Sequence, residues 1–203
     1  MFEIPLRPIP YWLQAEVAEY FVPFPFIPET VLDIGANIGA FVQRAQAEWP
    51  DASIIACEPM PFNLVHLRQN VKPKTTIISA AIRNKTGIDN IYIGDNFVTG
   101  GFVDFGRQTE NQIIVECLAA KQLPSCELVK IDTEGCEVEI ITTLNMSKTN
   151  AICLEYHCQE DAEVIKNFLS GAFNLIKEEG TNDIGTLIFL HKKFATMGLE
   201  TTH

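Results

Sequence analysis

The sequence has no Cys-x-x-Cys pair, no apolar run of about 18 residues and few basic side chains. Without such a run, no membrane span is expected. Its six cysteines are scattered, and Cys57, Cys117 and Cys153 fall in apolar stretches, where a free thiol behaves as a small hydrophobe. Free thiols and the reducing cytoplasm are therefore expected. Lys and Arg number 15 against 26 Asp and Glu, a net charge of -11. Such a surface repels a phosphate backbone on average, so nucleic acid is not expected as the main partner. Met1 to Pro10 is broken by Pro5, Arg7, Pro8 and Pro10, and no secretory leader is expected there.

What is present is the balance of an ordinary globular chain: 203 residues, 47% hydrophobic and 20% charged, enough for one domain with a substantial core. Residues 1–29 form a proline- and aromatic-rich arm, with a short helix possible over Tyr11 to Tyr20. Such an arm can pack its rings on the domain, or serve as a lid or a homodimer contact near the ligand. Residues 30–203 read as a single domain. Thr30 to Ile34, Ser53 to Cys57 and a segment within Thr75 to Ile82 read as strands. They alternate with helices carrying Ile38, Phe41, Val42, Ala45 and Trp49, and then Leu64, Val65 and Leu67. This β-α-β-α-β order implies parallel strands with right-handed crossovers. Further strands are expected at Ile88 to Ile93, Gln112 to Leu118, Leu128 to Asp132, Ala151 to Tyr156, Phe173 to Lys177 and Thr186 to His191. Helices are expected around Val138, Ile141 and Leu144, and around Val164, Ile165, Phe168 and Leu169.

The first strand runs into Asp33-x-Gly35-x-Asn37-x-Gly39 and then a helix. Glycines there let the backbone approach a ligand and let the helix start close to the strand, and N–H groups at the helix start favour a polar group. The third glycine of a dinucleotide fingerprint is missing, and acidic Asp33 precedes the loop. That suits a ligand with a positive amino group, such as the methionine end of S-adenosylmethionine, better than a pyrophosphate. Glu58 ends the next strand, where a carboxylate can accept from both hydroxyls of a ribose.

Asp33 to Gly39, then Glu58-Pro59, then Leu128-Val129-Lys130-Ile131-Asp132-Thr133-Glu134-Gly135-Cys136-Glu137 resemble the FkbM family of S-adenosylmethionine-dependent methyltransferases. The Lys-Ile-Asp-x-Glu-Gly-x-Glu block is the most specific part, and the resemblance runs from about Thr30 to His191. It implies an α/β, Rossmann-like class I methyltransferase fold: a mostly parallel seven-stranded sheet with helices on both faces and a reversed C-terminal hairpin. It further implies that Asp33, Gly35, Ala36, Asn37 and Gly39 line the methionine end, that Glu58 and Pro59 hold the ribose, and that Ala80-Ala81-Ile82 meets the adenine, with Arg83 or Asn84 as its polar contact. The acceptor it implies is a hydroxyl on a small molecule or a carbohydrate.

Ionisable groups gather at the ends of the fourth and fifth strands: Asp132 and Glu134 on one, Glu155 and His157 on the other, the latter two on one face. His157 is the best general base by intrinsic pKa, Asp132 ends a buried strand, and Glu134 either acts or caps the next helix. Lys130 is a candidate charge partner for these carboxylates. The same four side chains offer ligands for Mg²⁺ or Mn²⁺, although a metal-free site is preferred. The glycine-rich Gly94 to Asn111 loop is the expected acceptor-binding element. Two other readings compete with an O-methyltransferase: a non-catalytic S-adenosylmethionine-binding partner protein, and a nicotinamide-dependent oxidoreductase.

Overall fold

The computed structural model describes residues 8–93, 100–101 and 112–195. Helix α1 (Tyr11–Ala18) precedes a Rossmann-like run of β1 (Thr30–Ile34), α2 (Ala40–Glu48), β2 (Ser53–Cys57), α3 (Pro61–Asn70) and β3 (Thr76–Ile78). After β4 (Ala81–Arg83), β5 (Gly87–Ile93), β6 (Gly100–Gly101) and β7 (Gln112–Ala119), the alternation resumes. It continues with β8 (Leu128–Ile131), α4 (Glu137–Ile141), β9 (Ala151–Tyr156) and α5 (Gln159–Leu169). The hairpin of β10 (Phe173–Gly180) and β11 (Gly185–His191) follows.

Seven strands form one sheet in the order β10-β11-β9-β8-β1-β2-β3. Five are parallel, and β11 joins β9 antiparallel, with β10 outside it. The chain winds outward from β1 through β2 and β3, then returns to its other side with β8. The switch point of the sheet therefore lies between β1 and β8, where open α/β sheets leave a crevice.

Strand chemistry divides the core. Val31, Ile54, Leu128 and Cys153 face a cluster with Leu13 and Val17 of α1, Phe41 and Ala45 of α2, and Leu64 and Leu67 of α3. Leu32, Ile34, Val129 and Ile152 face the opposite cluster with Ile140 of α4 and Ile165 and Leu169 of α5. Neighbouring residues of one strand thus serve two cores, which is why these strands are apolar without alternation. In α5 the buried face is Ala162, Ile165 and Leu169; Val164 and Phe168 point outward and do not join it as the sequence suggested.

One strand is expected within Thr75 to Ile82, and the structure has two strands that start there. β3 pairs with β2, and β4 leaves that sheet to pair with β7 in a separate four-stranded sheet, β4-β7-β5-β6. Ser79 and Ala80 form the break between them. The arm packs into the domain: Tyr20 and Phe21 both meet Phe41 of α2, and Phe21 stacks on Trp49. Among the described residues, no helix is long and apolar enough to cross a membrane. All six cysteines are free thiols.

Candidate active site

A cavity of about 200 Å³ opens at the carboxyl ends of β1, β2, β8 and β9, at the switch point. One end is lined by Gly35, Asn37, Glu58, Pro59, Met60 and Asn63. An apolar slot beside it is formed by Ala80, Ala81, Ile82 and Ile91. The other end carries Asp132, Thr133, Glu134 and Glu155, and α1 closes it with Trp12, Leu13 and Glu16.

The loop after β1 owes its shape to backbone contacts. Gly35 has φ +81°, and a Cβ there would lie 1.7 Å from the carbonyl oxygen of Asp132. Gly39 has φ +94°, and its Cβ would press on Leu67 and Val71. These glycines therefore also admit neighbouring protein chain, Asp132 and α3, while Gly35 lines the cavity and Gly39 immediately precedes α2. Gly39 and Ala36 are not among the residues lining the cavity. Asn37 adopts φ +50°, which asparagine tolerates, and its side-chain oxygen accepts from the N–H of Ile38 at 2.8 Å.

Glu58 is buried and pinned. Its carboxylate accepts from the N–H of Asn37 at 2.8 Å, the N–H of Met60 at 2.9 Å and the side-chain amide of Asn63 at 3.2 Å. Burial raises its carboxyl to about 7 against the pull of these donors. Arg83, expected near an adenine, instead pairs with Glu139 of α4 and with Asp89, and neither it nor Asn84 lines the slot.

Asp33 does not line the cavity. It is wholly buried and faces Lys130, whose Nζ lies 3.3 Å from its carboxylate and 3.2 Å from that of Asp132. The same ammonium donates to the carbonyl of Gly35 at 2.8 Å. Burial alone would favour neutral lysine, but Asp132 and Asp33 outweigh it and keep Lys130 charged. Lys130 thus ties the β1 loop to the end of β8, and Asp33 holds the tie from behind.

At the other end, Asp132 and Glu155 share a hydrogen bond. Burial opposes ionisation of Asp132, but Lys130, the Glu155 hydrogen bond and His157 hold its carboxyl below the usual range. Burial and the adjacent Asp132 charge push Glu155 up to about 9. Two carboxyls this close keep one proton between them, with Asp132 charged and Glu155 neutral.

His157 stands behind this pair and is not among the lining residues. Its ring lies 3.4 Å from Glu137, 3.5 Å from Glu155 and 3.8 Å from Glu134. Burial favours the neutral ring, but the Glu137 hydrogen bond and charge, with Glu134 and Asp132, raise it to about 9. At neutral pH it already holds its proton, so the intrinsic value that marked it as a base does not survive its surroundings. Glu134 has φ +57°, an unusual backbone for a residue with a side chain, and its side chain lines the cavity. Glu137, the first residue of α4, fastens the loop before that helix: it accepts from the N–H and hydroxyl of Thr133 and from the N–H of Gly135 at 2.9–3.1 Å.

Asp132, Glu155 and His157 could offer three ligand atoms within 4.8 Å of one another to a metal ion. The proton on His157, held by Glu137, stands in the way of that use. The Gly94 to Asn111 loop lies outside the described residues, apart from Gly100 and Gly101 in β6. Sequence reasoning missed Trp12, Leu13 and Glu16 on α1, Met60 just before α3 and Asn63 on it, and Ile184 in the turn between β10 and β11. Only Met60 and Asn63 had a local signal, since they follow Glu58 directly into a helix.

Comparisons with known proteins agree with this architecture. The family model described as the methyltransferase FkbM domain matches residues 33–174. No curated protein matches the chain. Among solved structures, fibrillarin in its complex with Nop5p is 12% identical with a TM-score of 0.55, over 87% of this chain and 79% of that one. The N-methyltransferase NodS from Bradyrhizobium japonicum is 9% identical with a TM-score of 0.51, over 89% and 94%. A precorrin-6y C5,15-methyltransferase from Geobacter metallireducens is 18% identical with a TM-score of 0.50, over 89% and 87%. Identities this low establish a common fold and nothing finer. The family match spans most of the chain and includes the loop after β1, Glu58 and the block from Lys130 to Glu137, so this chain belongs to the FkbM methyltransferase family.

Proposed function

We propose that this methyltransferase uses S-adenosylmethionine to methylate a hydroxyl of a small molecule or carbohydrate, without a metal, in the reducing cytoplasm. The observation that carries the reading is a single cavity with a pinned, buried Glu58 beside an apolar slot at one end and the proton-sharing Asp132–Glu155 pair at the other. Glu58 suits a ribose diol, the slot of Ala81, Ile82 and Ile91 suits a flat base, and Asn37 and Gly35 suit the methionine end. The cofactor would supply an electrophilic methyl group on a sulfonium.

The remaining chemistry belongs to the chain. An acceptor hydroxyl must lose a proton as its oxygen gains the methyl carbon. Asp132 is the ionised carboxylate that can take that proton, and general bases contribute about 10²–10⁴-fold in rate. Glu155 donates a hydrogen bond that orients it. Lys130 and protonated His157 keep Asp132 charged in a buried setting, and Glu134 and Thr133 line the path of the acceptor. Positioning the acceptor in line can contribute several kcal/mol more.

Calorimetry with S-adenosylhomocysteine and with NAD tests the cofactor half. Binding of the first and not the second is expected, and the reverse sinks the reading in favour of a nicotinamide enzyme. Asp132→Asn should abolish most transfer while leaving S-adenosylhomocysteine affinity within a few-fold; unchanged turnover removes Asp132 from the chemistry. Chelator should leave turnover unaltered.

A further inference from the structure

The block from Lys130 to Glu137 ends on a carboxylate that lies outside the cavity. Glu137 is fully buried at the start of α4 and is not among the lining residues. A buried charge destabilises a fold unless its contacts offset the loss of water. Glu137 has contacts of two kinds.

The first kind is with the loop. One carboxylate oxygen accepts from the N–H of Thr133 at 2.9 Å, from its hydroxyl at 3.0 Å and from the N–H of Gly135 at 3.1 Å. The other oxygen also lies 3.1 Å from the N–H of Gly135. The two amides flank Glu134, and the turn they belong to is left-handed, with φ +57° at Glu134 and +108° at Gly135. N–H groups converging around such a turn form a concavity that suits an anion, and here the chain fills it with its own carboxylate. Glu134 is thereby held between two fastened neighbours in a backbone that glutamate rarely adopts. Upstream, the N–H of Asp132 donates to the Ile34 carbonyl at 3.1 Å. The segment from Asp132 to Gly135 is thus tied to β1 at one end and to α4 at the other.

The second kind is with His157. The same Glu137 oxygen lies 3.4 Å from Nδ1 of that ring, whose Nε2 lies 3.5 Å from Glu155. Burial opposes ionisation of Glu137, but His157 and the backbone donors hold its carboxyl below the usual range. The helix carrying it is firmly seated, with Ile140 and Ile141 fully buried and Glu139 paired with Arg83 of β4.

We propose that Glu137 is a positioning residue of the transfer site: its one carboxylate sets Glu134 on the acceptor path through Thr133 and Gly135, and sets His157 against the Asp132–Glu155 pair. This rests on the methyltransferase reading of the cavity. Acceptor binding and transfer rate then meet in a group outside the cavity.

The test compares Glu137→Gln with Glu137→Ala in the full-length protein. Glutamine keeps an oxygen for Thr133 and Gly135 but removes the charge facing His157, whereas alanine removes both. Transfer is followed with radiolabelled S-adenosylmethionine and a small-molecule cell extract. Glu137→Gln should lower the maximal rate about tenfold and leave the extract concentration for half-maximal rate within about twofold. Glu137→Ala should lower the rate at least as much and raise that concentration about tenfold. In a His157→Gln background, Glu137→Gln should cost less than about twofold, because it acts through that ring. S-adenosylhomocysteine affinity, measured by calorimetry, should stay within about twofold throughout. A merely structural role would weaken cofactor binding and transfer together, and that result overturns the proposal, as do unaltered kinetics in both variants. Hydrogen exchange reads the loop without an acceptor. In Glu137→Ala the amides of Thr133 and Gly135 should exchange about tenfold faster or more, with those of β1 and β9 unaltered. Unaltered exchange at the two amides overturns the proposal even if the extract takes no label. Failure of the parent protein to bind S-adenosylhomocysteine sinks the cofactor reading instead and takes the assigned role with it. If thermal melts show that Glu137→Ala does not fold, Glu137→Asp, one methylene too short to reach both amides, carries the same comparisons.

Discussion

The two ends of the cavity are built by different means. The end at β1 and β2 is made of backbone: two left-handed glycines, an asparagine in the same conformation, and one carboxylate pinned by amides. The end at β8 and β9 is made of charge: Asp132, Glu155, Glu134 and Glu137 balanced by Lys130 and His157. The first fixes shape through sterics, which one added methyl group can destroy. The second fixes protonation, which depends on groups from β8, α4 and β9 together. Cofactor affinity and reaction rate should therefore respond to different mutations.

Gly35→Ala is the severest test of the steric end. Its Cβ would meet the Asp132 carbonyl at 1.7 Å, so the β1 and β8 loops must separate. Loss of the folded state at ordinary temperature is expected, and a cooperative melt near that of the parent would contradict this account of the loop. Lys130→Met should come next, because it leaves Asp33 without its counter-charge in a buried site and takes from Asp132 one of its two. A cost of about 3–5 kcal/mol in urea titration is expected, and a cost under 1 would mean that Asp33 is folded neutral.

The contrast between the ends is sharpest in a pair of variants. Asp132→Asn should lower kcat by about 10²-fold or more with nearly unaltered S-adenosylhomocysteine binding. Glu58→Gln should weaken that binding about tenfold, the value of one charge-assisted hydrogen bond, with a smaller effect on kcat. If both variants shift the same parameter, the cavity does not divide as described.

The pH dependence is expected to be the gentlest effect. His157 is raised from its ordinary value to about 9, so its contribution is complete below about pH 6.5 and fades as pH rises through 9. Glu155, also raised to about 9, binds a proton in the fold that the unfolded chain has lost, so its titration likewise lowers stability as pH rises towards 9. The urea midpoint should therefore fall between pH 6.5 and 9, and His157→Gln should flatten that fall. A midpoint rising over this interval contradicts the assigned charges.

Much of the fold was legible because it rests on periodicity. Thr30 to Ile34, Ser53 to Cys57 and Ala151 to Tyr156 appear with the bounds their apolar pattern suggests. The strand change at Ser79–Ala80 was not legible, since an apolar run continues through it and only pairing partners distinguish β3 from β4. The same limit governs the site. Glu58, Asp132 and Glu155 stand at strand ends, which a pattern can find. The burial of Asp33 against Lys130 and the proton held by His157 come from residues far apart in the chain. Glu16 and Trp12 lie in an arm whose helix carries no motif, so their place on the cavity wall emerges only when the chain closes.

Glu134 shows what such a site demands of the chain that makes it. Its backbone at φ +57° is one that glycine adopts freely and glutamate does not. Glu134→Gly should therefore be neutral or stabilising by up to about 1 kcal/mol, since it relieves that backbone. A sequence optimised for folding alone would place glycine there, beside Gly135. Keeping a carboxylate at that point trades durability for chemistry, and a thermostability screen run without an activity assay would select it away.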